Sequence, residues 1–141
     1  MQPTLHQLFF RAFHGQNNRL QAVRDELGLG RGQPRILSYL SRHEPCTQRE
    51  IADYFRTDPA SISRMVELLC QNGFVTRIED STCRRANRLS LTERGQKAAQ
   101  RWAEECDRLD SLVLSGFTPQ EAGQLKDMLG RILDNLDRRW E

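Results

Sequence analysis

Residues 58–90 read DPASISRMVELLCQNGFVTRIEDSTCRRANRLS, and the fold turns on how this stretch is parsed. Asp58 followed by Pro59 is a helix start. The carboxylate can cap the orphan N–H groups of a first turn, and proline's missing N–H costs nothing at the first helical position. Ile62, Met65, Val66 and Leu69 then recur at helical spacing, so one face is buried. The opposite face opens with Ser61, Ser63 and Arg64. Short hydroxyls that reach phosphates or bases, beside a guanidinium that can grip guanine through two bonds, suit a DNA major groove. Asn72-Gly73 stops the helix, and Phe74 to Ile78 has the composition of a strand. Glu79-Asp80-Ser81-Thr82 is too polar for a core, Arg84-Arg85 follow, and Asn87 to Leu91 returns as a second strand. A helix followed by a hairpin with arginines at its tip is the plan of a winged helix. The reader helix spans about 58–72 and the wing about 74–91.

Upstream, Thr47-Gln48-Arg49-Glu50 is a capping box, and Ile51, Ala52, Tyr54 and Phe55 supply a short helix after it. Arg56-Thr57 joins that helix tightly to the reader, which makes a helix-turn-helix. A further short helix runs from Gly32-Gln33-Pro34 to Arg42, with Ile36, Leu37 and Leu40 on its apolar face and Pro34 in its first turn. Gln33, Thr47 and Gln48 sit near helix starts, where side chains and backbone N–H groups can bind phosphate; for Thr47 the cap alone is a sufficient account.

The flanks are amphipathic helices. Thr4 with Gln7 forms a capping box for the first, whose stripe from Leu5 to Leu27 is interrupted at Gly15 to Asn18, where a bend is expected. After the wing, Leu91-Thr92-Glu93-Arg94-Gly95 leads into a long helix that Gly116 ends. Thr118-Pro119-Gln120-Glu121 caps a last helix carrying Leu125, Met128, Leu129, Ile132, Leu133, Leu136 and Trp140. Such stripes need a partner surface, and a second copy of the chain is the simplest supplier. The fold class is therefore mainly α with a small β-hairpin wing. Residues 31–91 form a winged helix-turn-helix head, residues 1–30 an N-terminal dimerisation helix, and residues 92–141 a long helix and a C-terminal dimerisation helix.

Charge is divided along the chain. Residues 31–101 hold 13 Lys+Arg against 8 Asp+Glu, whereas residues 102–141 hold 5 against 9, beneath an overall formal charge of +2. A basic middle that meets a polyanion is implied, with seven of its basic residues between Arg77 and Arg101. No apolar run is long enough to cross a membrane and the N-terminus lacks a signal-peptide layout, so the expected setting is the cytoplasm, with no membrane contact.

The order of elements and several short motifs together resemble the MarR family of bacterial transcriptional regulators. The resemblance rests on Ser63-Arg64, on Asn72-Gly73-Phe74-Val75, on Arg84-Arg85, and on Leu91-Thr92-Glu93-Arg94-Gly95, which matches the family's leucine-threonine-x-x-glycine pattern. It implies a winged-helix homodimer acting on double-stranded DNA, a repressor of neighbouring genes that a small aromatic acid, a metal or an oxidant releases. It further implies that Ser61, Ser63 and Arg64 enter the major groove, that Arg84 faces DNA, and that Arg85 braces the wing against Asp58. The family usually places an Asp before the two wing arginines; here that position is Cys83.

Arg88, Arg77 and Arg94 are weaker candidates for phosphate contact, weighed against plain solvation. Cys83, beside two arginines, and Cys46, just before a helix start, are candidate redox thiols; Cys70 and Cys106 lie on helices, where a buried small hydrophobe is the default. His6, His14 and His43 show no metal-ligand spacing with the cysteines, and no cofactor is expected. Phe9, Phe13, Tyr39, Trp102 and Trp140 are candidates for the lining of an effector cleft or for core. Gly-rich phosphate loops and nucleophile–base groupings are lacking, so the chain is not read as an enzyme. The rival class is a winged-helix protein-interaction module binding an acidic partner.

Overall fold

The computed structural model describes residues 1–79 and 87–138. In chain order the elements are α1 (Leu5–Leu27), α2 (Gln33–His43), α3 (Gln48–Phe55), α4 (Pro59–Gln71), β1 (Val75–Glu79), β2 (Asn87–Leu91), α5 (Glu93–Val113) and α6 (Pro119–Leu136). Two compact units divide the chain, Met1–Asp107 and Arg108–Glu141. Among the described residues no helix is long and apolar enough to cross a membrane.

Capping chemistry sets the helix starts. Thr47 Oγ1 accepts from the Glu50 N–H at 3.1 Å, and the Glu50 carboxylate accepts from the Thr47 N–H at 2.6 Å, satisfying two orphan donors at once. Thr4 with Gln7 and Thr118 with Glu121 form the same reciprocal pair. At the other end of α1, Gly28 takes the left-handed conformation (φ 72°) and closes the helix. Gly15 to Asn18 do not break the helix: α1 runs for 23 residues. A single helical glycine costs only about 1 kcal/mol, which the turns on either side absorb.

The first unit folds around one core. Ile36, Leu37 and Leu40 of α2, Ile51 of α3, and Ile62, Val66 and Leu69 of α4 meet Phe74 and Leu89 at the root of the wing, all of them buried. Ala98 and Ala99 of α5 belong to the same cluster. The start of α5 thus packs into the same core as α2, α3 and α4. The small alanine side chains let the helix approach the core closely. Leu20 and Val23 of α1 are also buried, and Glu26 pairs with Arg101 of α5 at 3.2 Å.

The wing root is antiparallel, in the register Val75↔Leu91 to Glu79↔Asn87. Phe74, expected as the first strand residue, instead closes α4, its N–H donating to the Leu69 carbonyl at 2.9 Å. On its other edge β2 pairs with Cys46, which exchanges two backbone hydrogen bonds with Leu89 at 3.2 and 2.7 Å. The Glu44 carboxylate extends this edge, accepting from the Leu91 N–H at 2.7 Å and the Ser90 hydroxyl at 2.9 Å.

Candidate nucleic-acid interface

Helix α4, the expected reader, begins with a three-residue relay. Asp58 caps α4, one carboxylate oxygen accepting from the Ser61 N–H at 2.9 Å and the other from the Ser61 hydroxyl at 2.7 Å. That hydroxyl has one proton and spends it on Asp58, so its lone pairs are left to accept from Arg64 Nη2 at 3.2 Å. The guanidinium is thereby held over the exposed first turns instead of trailing in solvent. The bonds from Ser61 and the Arg64 charge hold the Asp58 carboxyl below the usual carboxylate range. Ser63 and Arg64 are exposed and Ser61 half-buried, while Ile62 and Val66 face inward. Ser61, Ser63 and Arg64 therefore share one end of the helix, as the sequence pattern predicts.

The far end of α4 is fixed by the motif that opens α5. Thr92 Oγ1 donates to the Gly73 carbonyl at 2.5 Å and accepts from the Gly95 N–H at 3.0 Å. Arg94 Nη1 donates to the Asn72 carbonyl at 2.6 Å and its guanidinium lies 4.3 Å from the centre of the Phe74 ring. A Cβ on Gly95 would overlap the Phe74 carbonyl oxygen, so α5 can start this close only with glycine there. Arg94, a weak candidate for phosphate, thus has a structural role. It satisfies a carbonyl at the end of the reader helix, where a cation is also favoured by the helix dipole.

Other predicted residues divide. Thr47 and Gln48 sit at the start of α3, Thr47 as the cap and Gln48 half-buried with its carboxamide against Arg77. Arg88 pairs with Ile78 in the wing root. Cys83, Arg84 and Arg85, and with them the brace from Arg85 to Asp58, lie outside the described residues, as does Trp140.

Cys46 is corrected as a redox candidate. Its side chain is buried, and burial, aided by Glu50, pushes the thiol up to about 11. A reactive thiol needs the reverse, a stabilised thiolate and access. The helix start behind that expectation is occupied by its own capping box, and Cys46 serves the sheet edge.

One ring cluster gathers two of the cleft candidates with residues that the sequence pattern does not single out. Tyr39 stacks on His43 at 4.4 Å and lies 4.8 Å from Tyr54, which meets Phe55 edge-on at 4.9 Å. These rings and Trp102 line an open cavity of about 290 Å³, with Arg35 and Arg42 at its wall. Tyr39 and Trp102, both candidates for a cleft, are brought together here; Phe9 and Phe13 remain exposed on α1. Tyr54 and the two arginines are legible in the sequence only as members of separate helices.

The chain is 28% identical over 116 residues, 82% of its length and 77% of the relative's, to YybA of Bacillus subtilis (strain 168), an uncharacterized HTH-type transcriptional regulator. A sequence profile of the MarR family matches residues 27–86, the end of α1 through the wing. The HTH-type transcriptional regulator BilQ of Clostridium symbiosum (strain WAL-14163) is 30% identical over 105 residues, covering 74% of this chain and 73% of BilQ. The chain belongs to the MarR family. As a MarR-type protein it is a DNA-binding transcriptional regulator and not an enzyme. The MarR winged-helix fold is shared with a putative MarR family regulator from Listeria monocytogenes solved with 26mer DNA, at a TM-score of 0.86 and 24% identity over 96% of this chain and 90% of that one.

Proposed function

We propose that this MarR-type regulator is a repressor that binds a pseudo-palindromic operator as a homodimer and is released by a small anionic aromatic effector. The observation that carries the reading is the Asp58–Ser61–Arg64 relay, which presents a pre-oriented guanidinium on an otherwise uncharged first turn of the reader helix. Ser61, Ser63 and Arg64 would enter the major groove, and Thr47, Gln48, Arg84, Arg85 and Arg88 would supply phosphate or groove contacts. The Listeria protein's complex with DNA supports a duplex as the ligand of this fold.

Two features support the rest. The N-terminal half of α1 exposes Leu5, Leu8, Phe9, Phe10 and Phe13, and α6 has no buried residue among those described. Uncovered stripes of that size fit a subunit interface, and a two-fold axis would set two reader helices about 34 Å apart. The cavity beside Tyr39, with Arg35 and Arg42, suits a planar carboxylate: rings to stack on and cations to neutralise it. An effector that binds one spacing of the heads better than the other shifts the population away from DNA.

The test starts with selection of a duplex from a random pool by the wild-type protein. Binding to that duplex should then weaken by roughly 10- to 100-fold in Arg64→Ala, the size of one two-bond base contact. A footprint of two half-sites one turn apart is expected. Enrichment of no sequence by the wild type would overturn the operator reading. A footprint of a single half-site would overturn the dimer.

A further inference from the structure

The wing root carries one cation engaged on three sides. Arg77 of β1 sends Nη2 to the Glu67 carboxylate of α4 at 3.3 Å. The Gln48 carboxamide at the start of α3 faces the guanidinium, and in the amide orientation that these donors require its oxygen accepts from Nη1 at 2.8 Å and from Nη2 at 3.2 Å. The Cys70 thiol, on the turn after Glu67, interacts with the same guanidinium, whose charge works against the rise that burial gives the thiol. Glu67 is in turn held from its other oxygen by the Gln71 amide at 3.3 Å.

We propose that Arg77 is a positioning residue for DNA reading: it locks the wing root, the start of α3 and the later turns of the reader helix into one orientation without itself touching DNA. This rests on α4 being the reader. Three arguments carry it. A planar guanidinium with five donors in a fixed fork can satisfy an amide and a carboxylate together, which makes it a joint between elements. A phosphate drawn to Arg77 would also have to sit beside the Glu67 carboxylate that Arg77 already holds, and that like charge opposes it. Finally, the bond it makes to the Gln48 oxygen leaves Gln48 only N–H donors to offer, and donors are what a phosphate oxygen accepts. Arg77 therefore acts through Gln48 and through the angle at which α4 presents Arg64.

A phosphate contact and a joint make opposite predictions. Loss of a phosphate contact weakens all sequences alike and lowers the salt dependence by about one ion. Loss of a joint spares non-specific attraction and blurs discrimination. The experiment measures anisotropy over a salt series with the duplex that the wild type selects and a scrambled duplex of the same composition. It compares the wild type with Arg77→Ala, Glu67→Ala, the double variant and Arg77→Lys, and records thermal melting of each.

The ratio of selected to scrambled affinity should fall roughly fivefold in Arg77→Ala, which loses both partners, less in Glu67→Ala, which leaves the Gln48 bond, and in the double no further than in Arg77→Ala. The salt slope should stay at its wild-type value, melting should change little, and Arg77→Lys should fail to restore the ratio, since one ammonium cannot take both partners. Equal weakening on both duplexes with a shallower slope would overturn the proposal in favour of a phosphate contact. Unchanged binding in Arg77→Ala and Glu67→Ala would overturn it in favour of a plain surface pair. A wild type that prefers no duplex would remove the reader-helix reading beneath it, and that is seen before any variant is made.

Discussion

Helices α4 and α6 carry the same kind of apolar stripe and meet different fates. In α4, Ile62, Val66 and Leu69 are buried in the head. In α6, Met128, Leu129, Leu133 and Leu136 remain between 39% and 70% exposed, and no described residue of the helix is buried. Amphipathic spacing states that a face will be covered; it does not state by what. The head supplies its own cover from α2, α3, the wing root and the start of α5. For α6 the proposed cover is a second copy of the chain, which is why the dimer proposal and the reader-helix proposal rest on different physics.

The largest effect should come from breaking the head where it is tightest. Gly95→Ala would drive a methyl into the Phe74 carbonyl, a backbone atom that cannot swing aside. A loss of about 3 kcal/mol or more is expected in urea unfolding, the upper range for overpacking. Gly123→Ala on α6 is the matched contrast, because nothing lies within 4 Å of its added carbon. There the better helix propensity of alanine should leave stability unchanged or raise it by up to about 1 kcal/mol. Similar losses from both would erase the distinction between the two regions.

Next comes the uncovered stripe itself. Leu133→Ala removes a side chain that is half-exposed in a single chain and should gain its cover only on association. Sedimentation should show weaker dimerisation by about 2 kcal/mol per protomer, with the far-ultraviolet spectrum and the reader helix retained. A monomeric wild type, or a variant that unfolds at the wild-type dimer's midpoint without dissociating, would break the argument.

Much of this was legible in the chain, for reasons specific to each element. Thr47, Asp58 and Thr118 announce helix starts because a capping side chain acts on N–H groups only two or three residues away, and the structure forms each bond. Cys46 misled because the same locality does not reveal depth: it precedes a helix start, yet it is the partner of Leu89, 43 positions on. Arg56 gives no sign that it occupies the left-handed region at φ 53°, where glycine is the usual residue. The joint at Arg77 and the ring cluster around Tyr39 were illegible for a similar reason, since each collects side chains from three elements whose mutual distances no local pattern encodes.

The burial of Cys46 yields a pH test confined to alkaline conditions. An unfolded chain loses the thiol proton near the ordinary value of 9, and the folded chain holds it to about 11. Between those values the folded state binds more protons than the unfolded state, so the contribution is intact below pH 9 and is lost as pH rises toward 11. At its limit the rise from 9 to about 11 is worth about 3 kcal/mol. Cys46→Ala should flatten that alkaline decline, and iodoacetamide at about pH 8, below the ordinary thiol value, should leave Cys46 unmodified until urea unfolds the head. Rapid labelling in the native state would restore the thiol as a redox candidate.

The smallest effect sharpens the comparison most, because it places one chemical device in both regions. Thr47 and Thr118 form the same capping box, each hydroxyl accepting at 3.1 Å from the N–H three residues on. Replacing either by alanine removes one acceptor, at a cost of about 1 kcal/mol to the helix it starts. For Thr47→Ala that helix is sewn into the core through Ile51 and Ala52, so the cost should appear in full as a lower urea midpoint for the whole head. Among the described residues, helix α6 has none buried through which to pass the loss on within one chain. Thr118→Ala should therefore leave the head's midpoint unmoved and show itself as faster amide exchange in the first turn of α6 and slightly weaker dimerisation. Equal shifts of the head's midpoint would mean that α6 is energetically part of the head, and that its apolar face is not waiting for a partner.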